Sequence, residues 1–166
     1  MKNQKEKTVH ILFHLVLVVL MIAQIIFFII YFNHGKILFM KITGIGFWII
    51  SAFLGWFPIY VFKKKGGVSK GESYVKTTKL VDTGVYSLVR HPQFLAGILL
   101  SLAFILISQH WLVLILGIPI IIIFYIGGLK GDRSLVDKFG KEYEEYMKIV
   151  PRFNIILGII RKLKNV

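Results

Sequence analysis

An almost unbroken apolar run from Val9 to Phe32, interrupted only by His10, His14 and Gln24, constrains this chain more than any other feature. It exceeds the ~20 residues that cross a bilayer core as a helix, where a helix satisfies all of its own backbone polar groups. It is too long for a signal-peptide core and lacks a small-residue cleavage site, so it reads as a retained anchor. Three further apolar blocks follow, about Ile42–Phe62, Pro92–Gln109 and Trp111–Gly128. The last two are joined by Ser108-Gln109-His110 as a tight helical hairpin, each near the lower limit for spanning, and Pro119 is placed to bend the fourth. The expected fold is therefore an all-α integral membrane protein with about four transmembrane helices. It forms one membrane domain over residues 1–166, with an N-terminal helical pair over 9–62.

Charge sets the expected orientation. The formal net charge is +13. In a soluble protein that would suggest nucleic acid, but here the bases flank apolar blocks, so lipid headgroups and topology account for it and no nucleic-acid partner is expected. Lys63, Lys64, Lys65, Lys70, Lys76, Lys79 and Arg90 stand against only Glu72 and Asp82 in the Lys63–His91 connection, and the segment after Gly128 is also basic. The positive-inside rule places these segments and both termini in the cytoplasm, with Lys36 and Lys41 a mild counter-signal. After the fourth span Leu135, Phe139, Tyr143, Tyr146 and Val150 recur at three- and four-residue steps. That periodicity predicts a cytoplasmic amphipathic helix from about Asp132 to Ile149, ended by Pro151. The last apolar run, Phe153–Ile160, is too short to span and is expected to lie at the interface.

The chemistry concentrates in Gly84-Val85-Tyr86-Ser87-Leu88-Val89-Arg90-His91-Pro92-Gln93-Phe94. Proline suits the first position of a helix, whose free N–H groups and positive dipole end attract anions. Arg90 adds a planar fork of donors for a carboxylate or phosphate. Two readings stand: an anion-binding device at the membrane surface, or a pair of residues anchoring the span in headgroups. His10 and His14, spaced i,i+4 without a nearby acid or cysteine, read as interfacial anchors or helix–helix hydrogen-bonding groups, so no metal is expected; Gln24 reads as interhelical glue. Gly44/Gly46 and Gly127/Gly128 suit helix packing or helix ends and lack the context of a phosphate loop. The chain has no cysteine, which excludes disulfides and a cysteine nucleophile. Asp132 is either an N-cap for the amphipathic helix or a partner for Arg90 and His91 across the mouth of the hairpin. The tight turn favours the second, because it brings the far ends of the antiparallel third and fourth helices back together.

With both motifs in hand, the chain resembles the isoprenylcysteine carboxyl methyltransferase and phospholipid methyltransferase superfamily over about residues 79–152. The resemblance runs through Leu80-Val81-Asp82-Thr83-Gly84-Val85-Tyr86, Arg90-His91-Pro92, Leu135, Phe139-Gly140-Lys141-Glu142-Tyr143, Tyr146 and Val150-Pro151-Arg152. It departs from the family pattern at Phe94 and Ala96, with Gly97 one position late, and at the paired glutamates, which are replaced by Gly131 and Asp132. The resemblance implies an S-adenosylmethionine-dependent membrane enzyme acting on a lipid-like acceptor: an isoprenylcysteine carboxylate, a phospholipid amine or a small hydrophobic thiol. It implies catalytic roles for Arg90 and Asp132, and cofactor contacts at Leu80, Val81, Tyr86, His91, Pro92, Gly97, Asp132 and Leu135. In that scheme Asp132 meets the cofactor's ammonium, and Leu80, Val81 and Leu135 hold its adenine.

Two alternatives have their own support. A steroid-reductase-like enzyme using NADPH also carries Arg-His-Pro before a hairpin, although Phe-Gly-x-Glu-Tyr argues against it. A non-catalytic relative is suggested by Gly131.

Overall fold

The computed structural model describes residues 2–67 and 77–164, so Lys70, Glu72 and Lys76 of the charged connection lie outside the described residues. The described residues form only helices: α1 Lys2–Ile30, α2 Leu38–Lys65, α3 Pro92–Ser108, α4 Trp111–Phe139, α5 Lys141–Ile149 and α6 Ile155–Lys164. Among the described residues, a 3-10 turn occupies Gly84–Ser87.

Among the described residues, three helices are long and apolar enough to cross a membrane: Ile11–Ile30 within α1, α2, and α4. The fourth apolar helix, α3, has 17 residues. At about 1.5 Å per residue it stands at the lower limit for crossing a ~30 Å hydrocarbon core, as the sequence suggested. The apolar side chains of α1 lie largely on its surface; Ile11, Leu15, Val19, Ile22, Ile26 and Ile29 are all exposed. In water such a face would be unfavourable by about 25 cal/mol per Å2; in lipid it needs no partner. This is an integral membrane protein.

Two compact units divide the chain. The first, residues 1–49 and 98–123, has its core at Phe28, Phe104, Ile107 and Val113. Phe28 stacks on Phe104 at 4.3 Å between ring centroids. Gln24, expected from the sequence to bridge helices, does so. It is buried, and its Nε2 donates to Ser101 Oγ at 2.9 Å and to the Val113 carbonyl at 3.3 Å, linking α1 to α3 and α4. At the hairpin turn, Gln109 accepts the backbone N–H groups of Lys36 and Ile37 at 3.1 and 3.0 Å and donates back to the Ile37 carbonyl. The α1–α2 connection and the α3–α4 turn are thus fastened together.

The second unit, residues 50–97 and 124–166, carries the Arg-His-Pro segment, the end of α4, α5 and α6. Its core joins Tyr143, Tyr146 and Val150 to Leu80, Leu135, Val136, Phe139 and Met147. One sequence expectation is corrected here. The fourth span does not end near Gly128 with a separate helix starting at Asp132; α4 runs without interruption to Phe139. At 29 residues it outlasts the hydrocarbon core, so its last turns carry Lys130, Asp132 and Arg133 beyond it. The break comes instead at Gly140, whose backbone sits at φ 57°, ψ −133°. That conformation is open to glycine and strained for any residue with a Cβ. The Gly140 carbonyl then accepts the N–H groups of Tyr143 and Glu144, starting α5.

Candidate active site

The site begins with backbone. Tyr146 Oη donates to the Tyr86 carbonyl at 2.5 Å, fixing the 3-10 turn against α5. Four residues on, the N–H of Arg90 donates to the Pro151 carbonyl at 3.0 Å and that of His91 to the Arg152 carbonyl at 3.3 Å. The Arg-His and Pro-Arg segments therefore run side by side, and Pro92 opens α3 immediately afterwards. The His91 carbonyl accepts the Leu95 N–H at 3.0 Å, closing the first turn.

On α4, Asp132 shares a face with Leu135, Val136 and Phe139 at steps of three, four and seven, and those three residues pack into the Tyr143–Tyr146–Val150 core. A carboxylate on that stripe is buried with it, at 5% exposure. A buried carboxylate persists only if paired and hydrogen-bonded. Asp132 meets that requirement fully. Its Oδ2 accepts Arg90 Nη2 at 3.1 Å and Arg152 Nε at 2.6 Å; its Oδ1 accepts His91 Nε2 and Tyr143 Oη, each at 2.7 Å. A carboxylate has about four lone-pair sites, and here each is taken. Because the carboxylate only accepts, His91 carries a proton on Nε2, and Nδ1 is the edge turned away from Asp132. Burial, reinforced by the bond to Asp132, pushes the Tyr143 phenol well above the usual tyrosine range, so it remains a donor at any physiological pH.

The ionic balance is uneven. Two guanidiniums, Arg90 and Arg152, face one carboxylate. The position that would hold a second acid is Gly131, where an added Cβ would stand 3.0 Å from His91 Cε1 and 3.5 Å from its Nδ1. Arg90 also donates from Nη1 to the Met147 carbonyl at 2.8 Å, while its Nε is buried without a hydrogen-bond partner.

Two hollows adjoin this cluster. Leu80, Val81, Tyr86, Arg90, Leu135 and Tyr143 line a cavity of about 30 Å3. That is room for a water or two, not for a nucleobase. On another side, Leu129, Asp132, Val136, Met147 and Arg152 border a cleft of about 560 Å3. Small-molecule sites typically measure roughly 300–1,000 Å3.

Of the residues singled out in the sequence, Arg90, His91 and Asp132 meet directly. Leu80, Val81, Tyr86 and Leu135 gather with Arg90 around the small cavity. Pro92 is buried at the start of α3. Gly97 stands apart, with the Phe124 ring closing the space beside its Cα. The proposed N-cap role for Asp132 disappears, since Asp132 is interior to α4. Two further residues enter that the sequence reading left without a role, Tyr143 and Arg152. Both stand in motifs already noted, and a hydroxyl within the buried stripe of α5 was the available signal.

A model of the phospholipid methyltransferase family matches residues 39–141, which include Arg90, His91, Asp132 and Leu135. No curated protein and no solved structure matches the chain. The match covers well over half of the sequence, and the chain belongs to the phospholipid methyltransferase family.

Proposed function

We propose that this protein transfers a methyl group from S-adenosylmethionine to a lipid-like acceptor, with the Asp132 cluster as the site of binding. The observation that carries the reading is the convergence of Arg90, His91, Tyr143 and Arg152 on Asp132 in a chain of this family. The donor set fits the cofactor's polar end: a carboxylate for its ammonium, and guanidiniums for its carboxylate. Asp132 is fully engaged, however, so an incoming ammonium must displace one of its donors. Arg152, at 30% side-chain exposure and bordering the larger cleft, is the one best placed to leave.

When bound, S-adenosylmethionine supplies a methyl group on a sulfonium that leaves as a neutral thioether as the acceptor's new bond forms. No covalent enzyme intermediate is needed, so the residues here have to orient, exclude water and handle a proton. Arg90, held through both Nη atoms and its backbone, orients. His91 Nδ1 is the atom available to take a proton from a protonated nucleophile. The surplus guanidinium favours an acceptor that brings its own negative group, such as a phosphodiester or a carboxylate. The finer assignment among prenylated carboxylates, phospholipid amines and hydrophobic thiols rests on that charge.

A non-catalytic role is the second reading, favoured by the saturation of Asp132 together with Gly131. Purified protein in nanodiscs, given S-adenosylmethionine with a tritiated methyl group and each acceptor class in turn, separates the two. Methyl transfer into a lipid-extractable product is the expected result. No transfer to any class, from a folded protein, would favour the second reading.

A further inference from the structure

Helix α6 is built inside out. Ile156, Ile159, Ile160 and Leu163, at steps of three, four and seven, form one stripe, and all are exposed, Ile156 and Leu163 at 72%. On the opposite side of the helix lies Gly158, buried so closely that an added Cβ would stand 1.9 Å from the Leu88 carbonyl oxygen. A helix on the surface of a soluble domain buries its apolar stripe and presents polar residues to water. Here the contacts to the protein are made by a glycine packed on backbone and by the polar side chains of Arg161 and Lys162, and the apolar stripe points away. Arg161, Lys162 and Lys164 flank that stripe, and the helix contains no acid. A partner with an apolar interior and a negatively charged rim matches this pattern, and a bilayer rich in anionic lipid has both. A second copy of the chain does not: two α6 helices paired face to face would set bases against bases, in a protein of net charge +13.

We infer that α6 docks on the surface of an anionic lipid leaflet, and that docking steadies the backbone that carries Arg90 and His91. The connection is short. Gly158 rests on Leu88, and Lys162 Nζ donates to Ser87 Oγ at 2.9 Å. Arg161 Nη1 donates to the Lys148 and Ile149 carbonyls at the end of α5. Just upstream of α6, Pro151 and Arg152 accept the Arg90 and His91 N–H groups. An α6 held at the membrane holds the Leu88–His91 segment from one side and the Pro151–Arg152 segment from the other. This inference stands without methyl transfer, because both of its readouts are physical.

The chain has no cysteine, so Ile156→Cys and Leu163→Cys each give a single nitroxide position. In nanodiscs containing phosphatidylglycerol, both labels are expected to collide with oxygen in preference to a water-soluble nickel chelate. In discs of phosphatidylcholine alone they should shift toward water. Lys162→Gln and Lys164→Gln should each reduce the docked fraction relative to free by about fivefold, the loss of one surface charge at an anionic leaflet. In parallel, hydrogen exchange at the Arg90 and His91 amides should be slower in anionic than in neutral discs, at least severalfold, and the doubly substituted chain should lose that difference. Labels that remain in water in both lipids overturn the docking. Labels that broaden one another as a dimer would overturn it in favour of a second copy. Docked labels with unchanged amide exchange would overturn the link to the Arg-His segment.

Discussion

Asp132 concentrates most of the consequence at the scale of single residues. As an N-cap it would tolerate asparagine; as the buried acceptor for two guanidiniums, one of them buried with it, it does not. Asp132→Asn leaves those charges without their counter-ion, and breaking a buried pair in this way costs about 3–5 kcal/mol. The variant should therefore melt at a markedly lower temperature as well as lose cofactor binding; an unchanged melting temperature would show that the cluster does not hold the fold together. Gly131 permits a finer test. Gly131→Ala brings a Cβ to 3.0 Å from His91 and asks the ring to shift by a few tenths of an ångström. Gly131→Glu makes the same demand but adds the acid that would balance the second guanidinium. S-adenosylmethionine titrations should accordingly rank the glutamate variant above the alanine variant. The reverse order would mean that steric fit at His91 matters more than charge.

At the scale of elements, the α4–α5 junction decides where the site lies. The sequence shows an amphipathic period from Leu135 to Val150, and that stripe is present as read. What the period could not reveal was its division between two helices, because residues on either side of a glycine keep nearly the same spacing. Gly140 was noted as part of a motif, but its positive φ is a property of the folded backbone. The break turns Tyr143 back toward Asp132, eleven residues earlier. Gly140→Ala should cost about 1–3 kcal/mol through strain at that φ and ψ, seen as a lower melting temperature. An alanine variant as stable as the parent would imply that the break is soft. The Arg90–Asp132 pairing, by contrast, was legible: a tight turn between antiparallel helices returns their far ends to one place. Arg152 was harder to foresee, since its approach depends on two backbone hydrogen bonds from Arg90 and His91 that no periodicity encodes.

For the whole molecule, the apolar runs identified the membrane class and the presence of four apolar helices, since length and composition alone decide that a chain crosses lipid; the end of α4, eleven residues past Gly128, was not legible in that way. Orientation rests on the distribution of bases and has a direct test. Asn33 and Lys164 are both exposed. Single cysteines there, in intact cells, should react with a membrane-impermeant reagent at Asn33 and not at Lys164; the opposite pattern would invert the topology. The central claim is that the Asp132 cluster receives S-adenosylmethionine, and titration calorimetry of the purified parent chain in nanodiscs, with S-adenosylmethionine and NADPH in separate runs, tests it most directly. The account predicts saturable binding of S-adenosylmethionine, none of NADPH, and a weakened isotherm for Asp132→Asn at a temperature where that variant is still folded. Absence of S-adenosylmethionine binding at millimolar concentration, or binding of NADPH in its place, would contradict it.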